Sequence, residues 1–169
     1  ATLSFGYGLD VSTLQLAKAY SIIGGLGKSR PISLVKVTGP VPSDQVLQSH
    51  VASDVVEMMA QVISEEGTGN KAKVAGYRVS GKTGTSRKAV AGGYGDAYVA
   101  VFAGVAPVRN PRIAVVVMID DPAGEQYYGG DVSAPVFAAI MKHSLRTLNI
   151  APDTVDTSTI RLAAAGGGE

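Results

Sequence analysis

Gly76-Tyr77-Arg78-Val79-Ser80-Gly81-Lys82-Thr83-Gly84-Thr85 is the stretch whose reading decides the fold. It supports two incompatible structures. Glycine, four residues, glycine, lysine and threonine satisfy the pattern of a loop that cradles phosphates. Further on, the apolar run Ile113 to Ile119 ends in Asp120, where nucleotide hydrolases keep a magnesium-holding aspartate. Yet a phosphate loop works because a helix starts directly after its lysine and aims N–H groups and a dipole at the anion. Here Gly84, Gly92, Gly93 and Gly95 follow, with no helical period. Tyr77, Val79 and Ser80 suit a continuous strand, and the aspartate run sits in a hairpin where a parallel α/β fold would be required.

The alternative places Lys82-Thr83-Gly84-Thr85 on a strand. Alternation then sends Lys82 to one face and Thr83 and Thr85 to the other. Gly84, without a side chain, lets a ligand lie close against the backbone, which can itself pair with an extended ligand as an added strand.

Working outward, Tyr77 to Thr85 reads as extended, Ser86 to Asp96 as a glycine-rich loop, and Tyr98 to Val105 and Ile113 to Ile119 as β-rich runs. Pro107 to Pro111 between them is short enough for an antiparallel hairpin. Val136, Phe137, Ile140, Met141 and Leu145 mark a final amphipathic helix. Upstream, Leu3 to Gly8 is turn-like. A helix runs from Val11 to Ile23, capped by Ser12 or Thr13 and stopped by Gly24, Gly25 and Gly27. Ile32 to Val37 after Pro31 reads as a short strand. Val51 to Ile63 reads as a helix with Ser53 as candidate cap and a stop at Gly67 and Gly69. Three consecutive strands joined by turns leave no room for crossover helices, so the expectation is an α+β fold with an antiparallel sheet covered by helices. Residues 1–150 form the folded unit, and 151–169, ending in Ala-Ala-Ala-Gly-Gly-Gly-Glu, read as a flexible tail.

The 169 residues suffice for one ordinary core. Apolar residues make up 46% and charged residues 17%, the balance of a folded chain. A net charge of +1 without a basic run gives no reason to expect nucleic acid. No cysteine is present, which excludes disulfides and thiolate metal sites. His50 and His143 lack metal-ligand spacing, and no cofactor is expected. No stretch approaches the roughly 18 to 20 apolar residues that cross a bilayer. The abrupt start at Ala1, without methionine, reads as a fragment or processed product whose targeting element lies upstream.

Several separate motifs stand in one order. Ser4-Phe-Gly-Tyr-Gly-Leu-Asp-Val-Ser-Thr-Leu-Gln-Leu-Ala17 precedes Lys82-Thr83-Gly84-Thr85. Phe102-Ala-Gly-Val-Ala-Pro107 follows, and then Ile119-Asp-Asp-Pro122, Tyr128-Gly-Gly130 and Ala134-Pro-Val-Phe137. In this the chain resembles class B penicillin-binding proteins, in particular the septal, division-specific transpeptidases, along the carboxyl-terminal half of their transpeptidase domain. The resemblance implies a serine D,D-transpeptidase that cross-links peptidoglycan stem peptides through an acyl-enzyme and is the target of β-lactams. It implies that Lys82 supports proton transfer and that the Thr85 N–H helps form an oxyanion hole. Thr83 and Thr85 would bind the ligand carboxylate, with Gly84 beneath it and Arg87 approaching the same region. Tyr98, Tyr127 and Tyr128 would form an aromatic wall. The implied partners are the amino-terminal half of the same domain, stem peptides, β-lactams and other cell-division proteins. The implied place is the periplasmic face of the bacterial inner membrane, reached by an upstream anchor.

That family also needs Ser-x-x-Lys opening a helix and Ser-x-Asn on a loop. No Ser-x-Asn occurs here, and the one Ser-x-x-Lys match, Ser33-Leu-Val-Lys36, falls in the expected strand, where the two side chains point apart. The nucleophilic serine is therefore expected outside this sequence, and the chain alone is expected to be inactive. A catalytically dead homologue that binds muropeptide or β-lactam is the alternative, with the nucleotide hydrolase a distant third.

Overall fold

The computed structural model describes residues 9–154. The turn expected at Leu3 to Gly8, and the tail beyond residue 154, lie outside the described residues. Helix α1 (Thr13–Gly24) opens as its sequence demands. The Ser12 hydroxyl accepts the Gln15 N–H, and the Gln15 side chain returns to the Ser12 N–H. This reciprocal cap satisfies two donors that no carbonyl inside the helix can reach. Two short strands follow, β1 (Lys28–Ser29) and β2 (Asp44–Gln45), paired antiparallel. The strand expected at Ile32 to Val37 does not form. Leu34 and Val35 are 97% and 76% exposed, and among the described residues no strand pairs with them. β-branched side chains favour a strand only where a neighbour supplies packing.

Helix α2 (Ser49–Ala60) continues as a 3₁₀ turn to Ile63. Its N-cap is Gln48, without a side-chain cap, so Ser53 lies inside the helix instead of capping it. Strands β3 (Ser80–Val90), β4 (Gly93–Ala106) and β5 (Ile113–Asp120) form one antiparallel sheet in the order β3-β4-β5. The loop expected at Ser86 to Asp96 is mostly strand. Val90 pairs with Gly93 across a tight turn at Ala91 and Gly92, with an irregularity between Arg87 and Ala89. Gly92, at φ +89°, takes the backbone region that such turns require and other residues avoid.

Helix α3 (Gly129–Thr147) covers one sheet face and begins well before Val136. Phe102 and Val117, paired across β4 and β5, join Phe137, Met141 and Leu145 in the main core. The Phe102 and Phe137 rings meet at 4.7 Å and 56°, the tilted contact favoured by their quadrupoles. Val105 and Ala114 alternate to the other face and pack with Tyr20 and Ile23 of α1 and with Val56 of α2. The result is an antiparallel sheet between helices, the α+β layering expected. Two buried hydroxyls lock the layers. Ser80 donates to the Val56 carbonyl at 2.7 Å, and Ser133 of α3 donates to Ala100 of β4 at 3.0 Å.

Beyond α3, the Asp153 carboxylate accepts the Arg78 N–H, its own N–H donates to Gly76, and Tyr77 donates its hydroxyl to Ile150. Ile150 and Asp153 thus brace the entry to β3. No helix among the described residues is long and apolar enough to cross a membrane.

Candidate active site

Lys82, Thr83, Gly84 and Thr85 all lie in the middle of β3, whose outer side has no paired strand among the described residues. No helix starts at Thr83, and the strand bearing Asp120 is antiparallel to its neighbour. The two elements that would give a phosphate loop its field are missing, and the nucleotide reading falls with them.

Pairing Thr83 with Phe102, Thr85 with Ala100 and Arg87 with Tyr98 places these side chains on the α3 side of the sheet. Each is then met from that side. Thr85 Oγ1 accepts the Gly129 N–H at 3.0 Å. This N–H is one of the amides at the start of α3 that have no partner inside the helix. An amide only donates, so the Thr85 hydroxyl keeps its own proton for another acceptor. Thr83 Oγ1 lies 3.2 Å from Thr68 Oγ1. Lys82, exposed on the strand, folds its ammonium back over it, 2.9 Å from the Thr83 carbonyl and 3.4 Å from the Thr83 hydroxyl. A cation and two hydroxyls with donatable protons thus converge at one strand edge, a fit for a carboxylate.

Thr83 and Thr85 form one wall of a cavity of about 370 Å³, with Thr68, Lys71, Tyr128 and Asp131 opposite. Lys71 and Asp131 are ion-paired across its rim at 2.7 Å. Gly84 is exposed, and a Cβ there would meet only Val101, at an ordinary 3.6 Å. Packing does not require glycine at this point. At Gly129 it does, because a side chain would collide with the carbonyls of Val101 and Gly84. This close approach brings the helix start onto the strand.

Arg87 and the three tyrosines form a continuous group. Arg87 Nε donates to the Tyr98 hydroxyl at 3.1 Å, with its guanidinium carbon 5.6 Å from the ring centroid. Tyr98 stacks on Tyr127 at 4.1 Å, and Tyr127 leans on Tyr128 with their hydroxyls 3.2 Å apart. The bond to Tyr98 raises the Arg87 pKa, so the cation persists. The bond to Tyr128 raises that of Tyr127, so the Tyr127 phenol stays neutral at physiological pH.

Ser33 and Lys36 lie on the exposed excursion between β1 and β2. The Ser33 hydroxyl is engaged locally with the Val35 backbone, far from a helix start. Sequence reasoning missed Thr68, Lys71 and Asp131. Gly67 and Gly69 were legible only as a helix stop, and no spacing announces that Thr68 between them touches Thr83. Among the described residues no cluster of three or more His, Asp or Glu could hold a metal.

The chain belongs to the family of the penicillin binding protein transpeptidase domain, whose model matches residues 1–142. Within that class it is similar to proteins named peptidoglycan D,D-transpeptidases. It is 51% identical over 158 residues to peptidoglycan D,D-transpeptidase FtsI of Escherichia coli (strain K12), covering 93% of this chain and 27% of that protein. To FtsI of Buchnera aphidicola subsp. Schizaphis graminum it is 44% identical, covering 92% of this chain and 28% of that one. The solved transpeptidase domain of Burkholderia pseudomallei penicillin-binding protein 3 superposes with a TM-score of 0.85 at 43% identity, covering 91% of this chain and 47% of that domain. The chain therefore spans less than a third of these curated relatives and less than half of the solved domain.

Proposed function

We propose that residues 1–150 form the carboxyl-terminal half of a serine-type D,D-transpeptidase domain, with 151–169 as its tail. The enzyme cross-links peptidoglycan stem peptides during septal wall synthesis and is acylated by β-lactams. The observation that carries this reading is the exposed edge strand on which Lys82, Thr83 and Thr85 converge beside a cavity. An extended stem peptide adds to the outer edge of β3, where backbone groups await a partner. Its terminal carboxylate accepts hydrogen bonds from the Thr83 and Thr85 hydroxyls, and Gly84 leaves room for it to lie flat. The Thr85 N–H contributes to an oxyanion hole. Lys82 assists proton transfer at a serine supplied by the amino-terminal half of the domain, which is the chain's first partner. Arg87 holds the carboxylate region positive, while Tyr98, Tyr127 and Tyr128 wall the side chains of the stem peptide or the β-lactam. The enzyme works with other cell-division proteins on the periplasmic face of the inner membrane, held by an upstream anchor.

Stopped-flow acylation by a fluorescent penicillin, in the longer protein that carries this segment, tests the roles. Lys82→Ala is expected to slow acylation about 10²- to 10⁴-fold, the usual worth of proton transfer by a positioned side chain. Thr83→Ala loses a hydrogen bond to a charged group, about 1.5 to 3 kcal/mol or roughly 10- to 150-fold. Unaltered rates in both variants would refute the assignment.

A further inference from the structure

We infer that the Lys71–Asp131 ion pair is a positioning device for the hydroxyls of Thr83 and Thr85, an inference that rests on the transpeptidase reading above. The two hydroxyls are held from two different segments. Thr85 is held by the Gly129 N–H at the start of α3, and Thr83 is met by Thr68 from the loop before the 3₁₀ turn Asn70–Ala72. Each segment meets β3 through one hydroxyl. They touch at Gly130, where a side chain would collide with the Thr68 carbonyl. Lys71 Nζ and Asp131 Oδ1 bridge them at 2.7 Å, three residues beyond Thr68 and two beyond Gly129. Ala72 and Ala134 keep the turn packed on the helix in the core, so if the bridge opens the two segments shift only at the rim, enough to spoil the common aim of the hydroxyls at one carboxylate.

The pair is partly solvated, with side chains 45% and 35% exposed, so its weight in overall stability is small. Its value lies in geometry, since small displacements of groups that hold a substrate cost rate out of proportion to stability. A different role for Lys71, as a free attractor of the anionic ligand, makes the opposite claim about Asp131. In that case the aspartate weakens the field, and removing it accelerates acylation. In the positioning role its removal slows acylation.

The test uses the longer protein that carries this segment, with benzylpenicillin and its methyl ester as probes. Lys71→Met and Asp131→Asn are each expected to lower the second-order acylation rate with the free acid about threefold or more. The slower reaction of the ester, which lacks the anion to be held, stays unchanged. The melting temperature scarcely moves, and the exchanged pair Lys71→Asp with Asp131→Lys recovers most of the loss. Faster acylation by Asp131→Asn, unchanged rates in both single variants, or equal losses with acid and ester overturn the inference. A wild-type protein that benzylpenicillin does not acylate overturns the transpeptidase reading itself, and the inference with it.

Discussion

The two ends of strand β3 are made of similar residues and answer to different masters. At its beginning, Ser80 and Gly81 are buried. The Ser80 hydroxyl is spent on Val56, and a Cβ at Gly81 would come 2.7 Å from the Ala103 carbonyl and 2.8 Å from the Phe102 ring. From Lys82 to Arg87 every side chain is exposed or half-exposed. Gly84 there has room for a methyl group, and the hydroxyls and the Arg87 cation meet polar groups at Gly129, Thr68 and Tyr98, not the core. One glycine is demanded by the fold and the other is not. Lys-Thr-Gly-Thr thus stands where packing asks for nothing, which is what the proposed binding role requires.

The largest effect should come from the buried side. Phe102→Ala removes a ring with no exposure that packs on Phe137, and chemical denaturation should show a loss of about 3 to 5 kcal/mol. A loss below about 1 kcal/mol would mean that the core does not run through β4. A paired glycine experiment is smaller and sharper. Gly81→Ala should destabilise by about 1 to 3 kcal/mol through overpacking. Gly84→Ala should leave stability within about 0.5 kcal/mol while slowing acylation, because its methyl group meets the ligand. If both variants lose stability alike, the contrast between the two ends collapses.

The smallest effect concerns the far end of the same strand, which Lys88 ties to Asp120 at 2.8 Å. The hydrogen bond to Asp120 raises the Lys88 pKa above its ordinary 10.5. A group whose folded pKa exceeds its unfolded value contributes stability fully below the unfolded value. That contribution is lost as pH rises through the folded one. Melting curves should therefore show wild type and Lys88→Met converging as pH climbs beyond 10.5. A difference that instead grows with pH would contradict the pairing.

The comparison also explains what could be read without coordinates. Elements whose residues answer to local rules were legible: a cap at Ser12 or Thr13, of which Ser12 forms it, the alternation of β4 and β5, and the strand through Lys82. The same absence of packing around the candidate site hid its surroundings. Ser86 to Val90 is exposed on both faces, so no period of two betrayed a strand, and its glycines read as loop. Ile32 to Val37 carries strand-like residues that find no neighbour. Thr68, Lys71 and Asp131 reach the site through contacts 15 to 60 residues apart, which no local pattern encodes. The threonines and the tyrosine group are singled out because the quoted motifs resemble one family in order, and each set lies together in the fold.

The account rests most directly on where a β-lactam attaches. After benzylpenicillin treatment of the longer protein that carries this segment, peptide mapping by mass spectrometry should find one penicilloyl group, on a serine outside residues 1–169. A Thr83→Ala protein should acquire the same adduct on the same serine, more slowly. An adduct on Ser33, or on any other residue of this segment, would contradict the claim that the segment supplies the binding strand and not the nucleophile.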